Sequence, residues 1–160
     1  MPKISALVHS TDDAPRIGRA LDSLRVCDEV IVIGHGSAQA CEKTEKVVRE
    51  HGATWKAGIP GVDHGAYALE TKNEWVLCIT PFEALSEELE ASVNEWKKSN
   101  HDDASGFRAR VREECDGGWK TLDPETRLVN RARVNWTGDL PPNTSTFDLL
   151  RGDILRLSKP

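Results

Sequence analysis

Short apolar runs alternate with amphipathic stretches through the first hundred residues. Ile4 to Val8 reads as a buried strand. Ser10-Thr11-Asp12-Asp13 follows, with Pro15 just beyond. A polar cap and then proline in the first turn predict a helix start. Ile17, Ala20, Leu21 and Leu24 recur at helical spacing, so this helix lays one face on a sheet. Val30-Ile31-Val32-Ile33, rich in β-branched residues, predicts a second buried strand. Gly34-His35-Gly36-Ser37 turns the chain into a second helix ending near His51, with Gly52 as its stop. A short third strand is expected over Ala53–Lys56 and a helix over Asp63–Thr71. Trp75 to Ile79 predicts a fourth buried strand. Pro81 breaks the pattern, and Ser86 opens a helix with Leu89, Val93 and Trp96 on one face.

Strands alternating with helices imply a parallel sheet with right-handed crossovers. After Asn100 the texture changes. Phe107–Arg112, Arg127–Val129 and Arg133–Trp136 read as strands, Asp139–Asn143 as a loop, and Asp153–Leu157 as a last strand. These predict antiparallel additions to the sheet. The expected fold class is therefore α/β: a mostly parallel sheet flanked by helices, with antiparallel C-terminal strands. A length of 160 residues suits one domain.

Composition alters little. The chain is 38% hydrophobic and 29% charged, ordinary for a globular protein. A net charge of −5 argues against nucleic acid as a partner, since that surface wants clustered Lys and Arg. Cys27, Cys41, Cys78 and Cys115 include no C-x-x-C pair, and no histidine completes a zinc-finger pattern. Three of them lie in or beside apolar stretches and read as small core residues. No apolar run approaches the roughly 20 residues that span a bilayer, and no secretory leader is seen. A cytoplasmic location is expected.

The order of segments resembles glycosyltransferase family 2, in the branch that adds sugars to lipopolysaccharide cores. Ile4–Leu24 looks like that family's first strand, Asn-Glu turn and first helix. Val30–Thr44 looks like its second strand, Asp-Ser-Gly-Ser-Thr-Asp-Gly-Thr loop and helix. Gly65–Leu77, ending in Glu74-Trp75-Val76-Leu77, resembles its Ala-rich helix and following strand. Pro124–Gly138, with Arg127-Leu128, resembles its acceptor-side strands. The resemblance implies a single GT-A-like domain over 1–160. Residues 1–100 would be the nucleotide-binding-type βα half and 101–160 the acceptor-side strands and tail.

In that family an Asp at the end of the second strand contacts the nucleoside. An Asp-x-Asp after the fourth strand holds the divalent metal that neutralises the diphosphate leaving group. Here the first position is Gly34, and the Asp-x-Asp falls on Thr80-Pro81-Phe82. A hard cation wants oxygen ligands, and proline and phenylalanine side chains offer none. The expectation is a degenerate member with no cofactor, no bound divalent metal and no assigned catalytic residue. Nucleotide or nucleotide-sugar is its expected ligand. The alternatives are an active metal-independent transferase, in which arginine neutralises the diphosphate, and a non-catalytic interaction or scaffold protein.

The candidate substrate contacts are Asp12, Asp13, His35, Asp63, Glu83, Arg108 and Arg127. Each has a plainer reading. Asp12 and Asp13 can contact a base or ribose, but the Pro15 pattern favours a helix cap. His35 and His64 have no partner in sequence and read as polar loop residues. Asp63 lies near the expected sugar-nucleotide cleft. Glu83 fits a residual metal contact or a first-turn acid of the following helix. Arg108, Arg110 and Arg112 share one strand face, which suits a diphosphate or a solvated face paired with Glu113, Glu114 and Asp116. Arg127 matches a family arginine. Gly34-His35-Gly36 is a poor dinucleotide fingerprint, because Gln39 fills its last glycine position and no acid follows about 20 residues on.

Overall fold

The computed structural model describes residues 1–158. Eight strands form one sheet in the order β3-β2-β1-β4-β7-β6-β8-β5. They are β1 (Ile4–Ser10), β2 (Glu29–Gly34), β3 (Thr54–Ala57), β4 (Trp75–Ile79), β5 (Glu83–Leu85), β6 (Gly106–Cys115), β7 (Gly118–Asn130) and β8 (Asp148–Arg156). The helices are α1 (Ala14–Asp22), α2 (Ala38–Glu50) and α3 (Glu87–Trp96). The segment His64–Glu70 winds as a tighter 3₁₀ helix where an ordinary helix was expected.

The β3-β2-β1-β4 half is parallel throughout. Beyond it β7 runs antiparallel to β4 and to β6, and β5 antiparallel to β8. The last strand, β8, lies parallel to β6. The fold is thus mixed α/β, with the parallel half carrying the crossover helices.

Alternation along the strands separates two cores. Ile4, Ala6 and Val8 of β1, Val32 of β2, and Leu77 and Ile79 of β4 pack with Ile17, Leu21, Val48, Leu89 and Val93 from all three α-helices. Leu7, Ile31, Ile33, Val76 and Cys78 point the other way. There they meet Tyr67 and Ala68 of the 3₁₀ helix, with Trp136 and Leu140 packed alongside. The α-helices therefore cover one face, and the 3₁₀ helix with the segment after β7 covers the other. Gly65 lets that helix dock, since a Cβ there would stand 1.9 Å from the Trp136 carbonyl oxygen.

Two strand expectations change. Arg133–Trp136 is not a strand, because β7 ends at Asn130. The Asn130 side chain accepts from the Ala132 N–H at 2.9 Å, and its carbonyl accepts from Arg133 and Val134 N–H groups. That local turn chemistry stops the ladder. The last strand also begins earlier than expected, at Asp148.

Candidate functional site

Strand order reverses at β1: β2 and β3 lie on one side of it and β4 on the other. In open α/β sheets a crevice forms at the carboxyl ends of the strands where this happens. A cavity of about 280 Å³ opens there. Its walls are the end of β1 with the following turn, the loop after β2, the start of the 3₁₀ helix, Ile79 to Phe82, and Asp139. A larger cavity of about 610 Å³ sits at the opposite ends of β1 and β4, lined by residues such as Met1, Lys72 and His101. Among the described residues no three ligating side chains converge there, whereas they do in the switch-point crevice, which is therefore the candidate site.

Three histidines meet in it. His9 shares its face of β1 with Leu7, and His35 follows Ile33 on the same face of the sheet. The backbone aligns them, as the His35 N–H donates to the Ser10 carbonyl at 2.8 Å. His9 Nδ1 and His35 Nε2 lie 2.8 Å apart. His64 stacks on His35 with ring centroids 3.7 Å apart, and on His9 at 5.0 Å. Its Nδ1 is hydrogen-bonded to the Asp139 carboxylate. His9 is 5% exposed, and its Nε2 has no hydrogen-bond partner. Burial pushes the His9 imidazole down to about 4; Asp139 opposes the shift, and His35 and His64 reinforce it. His35 is lowered too, by burial first and then by His64, against Asp139. Two neutral imidazoles at pH 7 follow.

The sequence candidates fall into different places. Asp13 occupies the N-cap position of α1, but its carboxylate makes no capping bond to the helix. It accepts instead from Ser10 Oγ at 2.7 Å, the Thr11 N–H at 3.2 Å and Arg16 Nη2 at 3.0 Å, on the rim of the crevice. Asp12 is exposed. Asp63 is exposed and faces a neighbouring hollow beside Trp136. His35 lies in the crevice, joined by His64.

Glu83 and Arg127 do not reach the crevice. Both are buried, and Arg127 donates to the Glu83 carboxylate at 2.7 and 2.9 Å. Arg156 Nε and the Thr80 N–H complete the shell of Glu83, at 3.1 and 2.9 Å. Burial pushes the Glu83 carboxyl up, but the Arg127 bonds and charge, the Thr80 N–H and Arg156 together hold it below the ordinary range. Glu83 is therefore a structural anion and not a metal ligand. Arg127 is its counter-ion and not a free cation for a diphosphate. Arg108 is engaged with the Phe147 carbonyl at 2.8 Å. The solvated arginine face pairs with Asp153, 3.6 Å from Arg110, rather than with its own strand's acids.

Three site residues carried no signal in the sequence: Asp139, read only as the start of a loop, His9 and Arg16. His9 closes an apolar strand run and carried no motif. Arg16, in the first turn of α1, sits over the Phe82 ring, 4.8 Å from its centroid, beside Asp13. Its guanidinium pairs with Asp13 at the crevice rim, 3.0 Å from that carboxylate.

The positions matching the Asp-x-Asp line the same crevice as the histidines. Thr80 offers a buried hydroxyl without a partner, and Pro81 and Phe82 offer no ligand. Gly34, matching the nucleoside-contacting Asp, is covered by an indole: a Cβ there would lie 2.0 Å from the Trp55 ring.

No protein-family model matches the chain. It is 34% identical over 157 residues to a protein of Rickettsia bellii described as an uncharacterized glycosyltransferase, covering 91% of this chain and 51% of that one. A Rickettsia felis protein of the same description is 32% identical over 160 residues, covering 92% and 54%. The chain spans about half the length of these curated relatives. Among solved structures, glucosyl-3-phosphoglycerate synthase from Mycobacterium tuberculosis, in complex with Mg²⁺ and UDP, superposes with a TM-score of 0.54 at 15% identity. That match covers 69% of this chain and 44% of the synthase. Mannosyl-3-phosphoglycerate synthase from Rubrobacter xylanophilus gives 0.54 at 20% identity, covering 73% and 43%. The chain has the GT-A-type fold of nucleotide-sugar transferases and resembles glycosyltransferases in sequence. Among the described residues no helix is long and apolar enough to cross a membrane.

Proposed function

We propose that this GT-A-type, glycosyltransferase-like chain is a degenerate family 2 domain that binds a nucleotide or nucleotide-sugar without Asp-x-Asp metal chemistry. One observation carries the reading. The crevice at the ends of β1, β2 and β4 has the position of a nucleotide-sugar site, yet Thr80-Pro81-Phe82 puts no carboxylate into it, and the adjacent Glu83 is locked to Arg127. Magnesium and manganese favour oxygen ligands, preferably carboxylates. The whole protein's donor and acceptor belong to this proposal, as does a cytoplasmic location.

A metal-independent transferase is the second reading, and Arg16 favours it. With Arg127 and Arg108 engaged elsewhere, Arg16 is the cation placed to meet a diphosphate at the rim.

Calorimetric titration with UDP and then GDP, each with and without manganese, tests the proposal. Binding that manganese leaves unchanged supports it. Binding that manganese strengthens restores an Asp-x-Asp-type site elsewhere in the crevice. No binding at millimolar nucleotide favours a scaffold.

A further inference from the structure

We infer that His9, His35 and His64, with His64 oriented by Asp139, form a tris-histidine site for one zinc-type divalent ion, with a coordination position open to the crevice. The expectation of no metal rested on the Asp-x-Asp positions and on histidines that no sequence spacing pairs, and this ligand set is a different one. The inference stands independently of the glycosyltransferase reading.

The convergence is built by the fold. One imidazole comes from the end of β1, one from the loop after β2 and one from the start of the 3₁₀ helix. One ring nitrogen of each lies within 4.8 Å of the other two. Tetrahedral zinc with Zn–N distances of about 2.0–2.1 Å wants nitrogens about 3.3 Å apart. Closing from 4.8 Å to that spacing takes about 1.5 Å, and the stacked rings must also turn so that their in-plane lone pairs converge, a movement that the broad χ2 torsion of histidine allows.

The metal-free arrangement leaves needs unmet. His9 Nδ1 and His35 Nε2 face each other at 2.8 Å, so only one of the two can donate, while His9 Nε2 is buried with no partner. Buried polar atoms are rarely left so. A cation taken up by one nitrogen of each ring would give the three side chains a common partner. Asp139 holds His64 Nδ1, which fixes that ring's tautomer and turns Nε2 free; this is the carboxylate–histidine arrangement that supports bound zinc.

Ligand type decides the ion. Imidazole suits zinc, nickel, copper and iron, while magnesium and manganese prefer oxygen donors. Three protein ligands leave a fourth tetrahedral position. It opens onto the cavity beside the unpartnered Thr80 hydroxyl. Three neutral rings leave the ion's charge offset only by the carboxylates of Asp139 and, at the rim, Asp13, so the open position takes water or an anionic oxygen.

The test uses untagged full-length chain stripped with chelator, titrated with Zn²⁺ by calorimetry and with Co²⁺ by visible absorption. The expected result is one ion per chain, four-coordinate cobalt bands without a thiolate charge-transfer band, and no displacement by excess Mg²⁺. His35→Ala and His64→Ala each weaken binding on the order of 100-fold or more. Asp139→Asn weakens it about 10- to 100-fold. Failure to bind stoichiometrically overturns the site, as does unaltered affinity in folded His64→Ala. A thiolate band also overturns it, since that places the ion on a cysteine. His9→Ala removes a core residue; if it does not fold, His64→Ala and Asp139→Asn, at less buried positions, carry the test. Zinc binding with no UDP binding would sustain this site while the nucleotide proposal fell, and the reverse result would separate them equally.

Discussion

Arg127 and Glu83, 44 residues apart in the chain, grip each other through two parallel hydrogen bonds where both side chains are shut off from solvent. The pair ties β7 to β5, and Arg156 of β8 joins it from the directly opposed position on the neighbouring strand. Breaking a buried pair by removing one partner costs about 3–5 kcal/mol, because the other charge stays buried without its partner. Glu83→Ala is therefore expected to destabilise the fold by about that much in urea unfolding, leaving two arginines facing an empty shell. A loss below about 1 kcal/mol would show that Glu125 compensates.

The same pair sets an acid dependence. The Glu83 carboxyl is held below its ordinary range in the folded chain. Its contribution is then complete above the unfolded glutamate pKa, about 4.3. It is lost as pH falls through the lower native value. Stability followed by thermal unfolding should drop on acidification below that range, and more steeply for the wild type than for a folded Glu83→Gln. Equal slopes in the two proteins would detach the acid sensitivity from Glu83.

Arg16 is the rim cation. A hydrogen bond to a charged group is worth about 1.5–3 kcal/mol, or roughly ten- to a hundred-fold in affinity. Arg16→Ala should weaken UDP binding by that factor in calorimetry, and Arg108→Ala should leave it unchanged. The opposite ranking would move the diphosphate to the solvated strand face.

Carboxylates can be put back at the end of β4. The double variant Thr80→Asp/Phe82→Asp adds two hard oxygen donors to the crevice. Manganese should strengthen UDP binding to it and leave the wild type unaltered. If manganese has no effect on the variant, the missing Asp-x-Asp is not what separates this crevice from a metal-dependent one.

Most of the parallel half was legible because its signals are local. Ile4–Val8, Val30–Ile33 and Trp75–Ile79 are apolar runs, and Ser37 and Ser86 do accept from the backbone N–H groups of Ala40 and Leu89 as N-caps. The site was less legible because its pairings are long-range. His9 meets His35 across 26 residues and His64 meets Asp139 across 75. No spacing rule links such positions. Glu83 showed an acid at the right place in sequence, but the burial that takes it out of ligand chemistry depends on β8, at the other end of the chain. Arg133–Trp136 alternated like a strand, and the Asn130 turn that prevents it is a matter of one side chain.

Restoring an acid at the end of β2 is another matter. Gly34→Asp would drive its Cβ into the Trp55 ring, and overpacking of this kind costs about 1–3 kcal/mol. The variant should unfold more easily than wild type by about that amount in urea, without gaining metal-dependent binding. Wild-type stability would mean the indole swings aside.

The indole over Gly34 also couples two positions. Shrinking Trp55 alone opens a gap where a large ring packed, and installing the acid alone meets that ring. Either order passes through a weakened protein, so the two positions are coupled as a ratchet. With tryptophan packed over a glycine at this strand end, no single substitution places an acid there without strain, and the two positions have to change together.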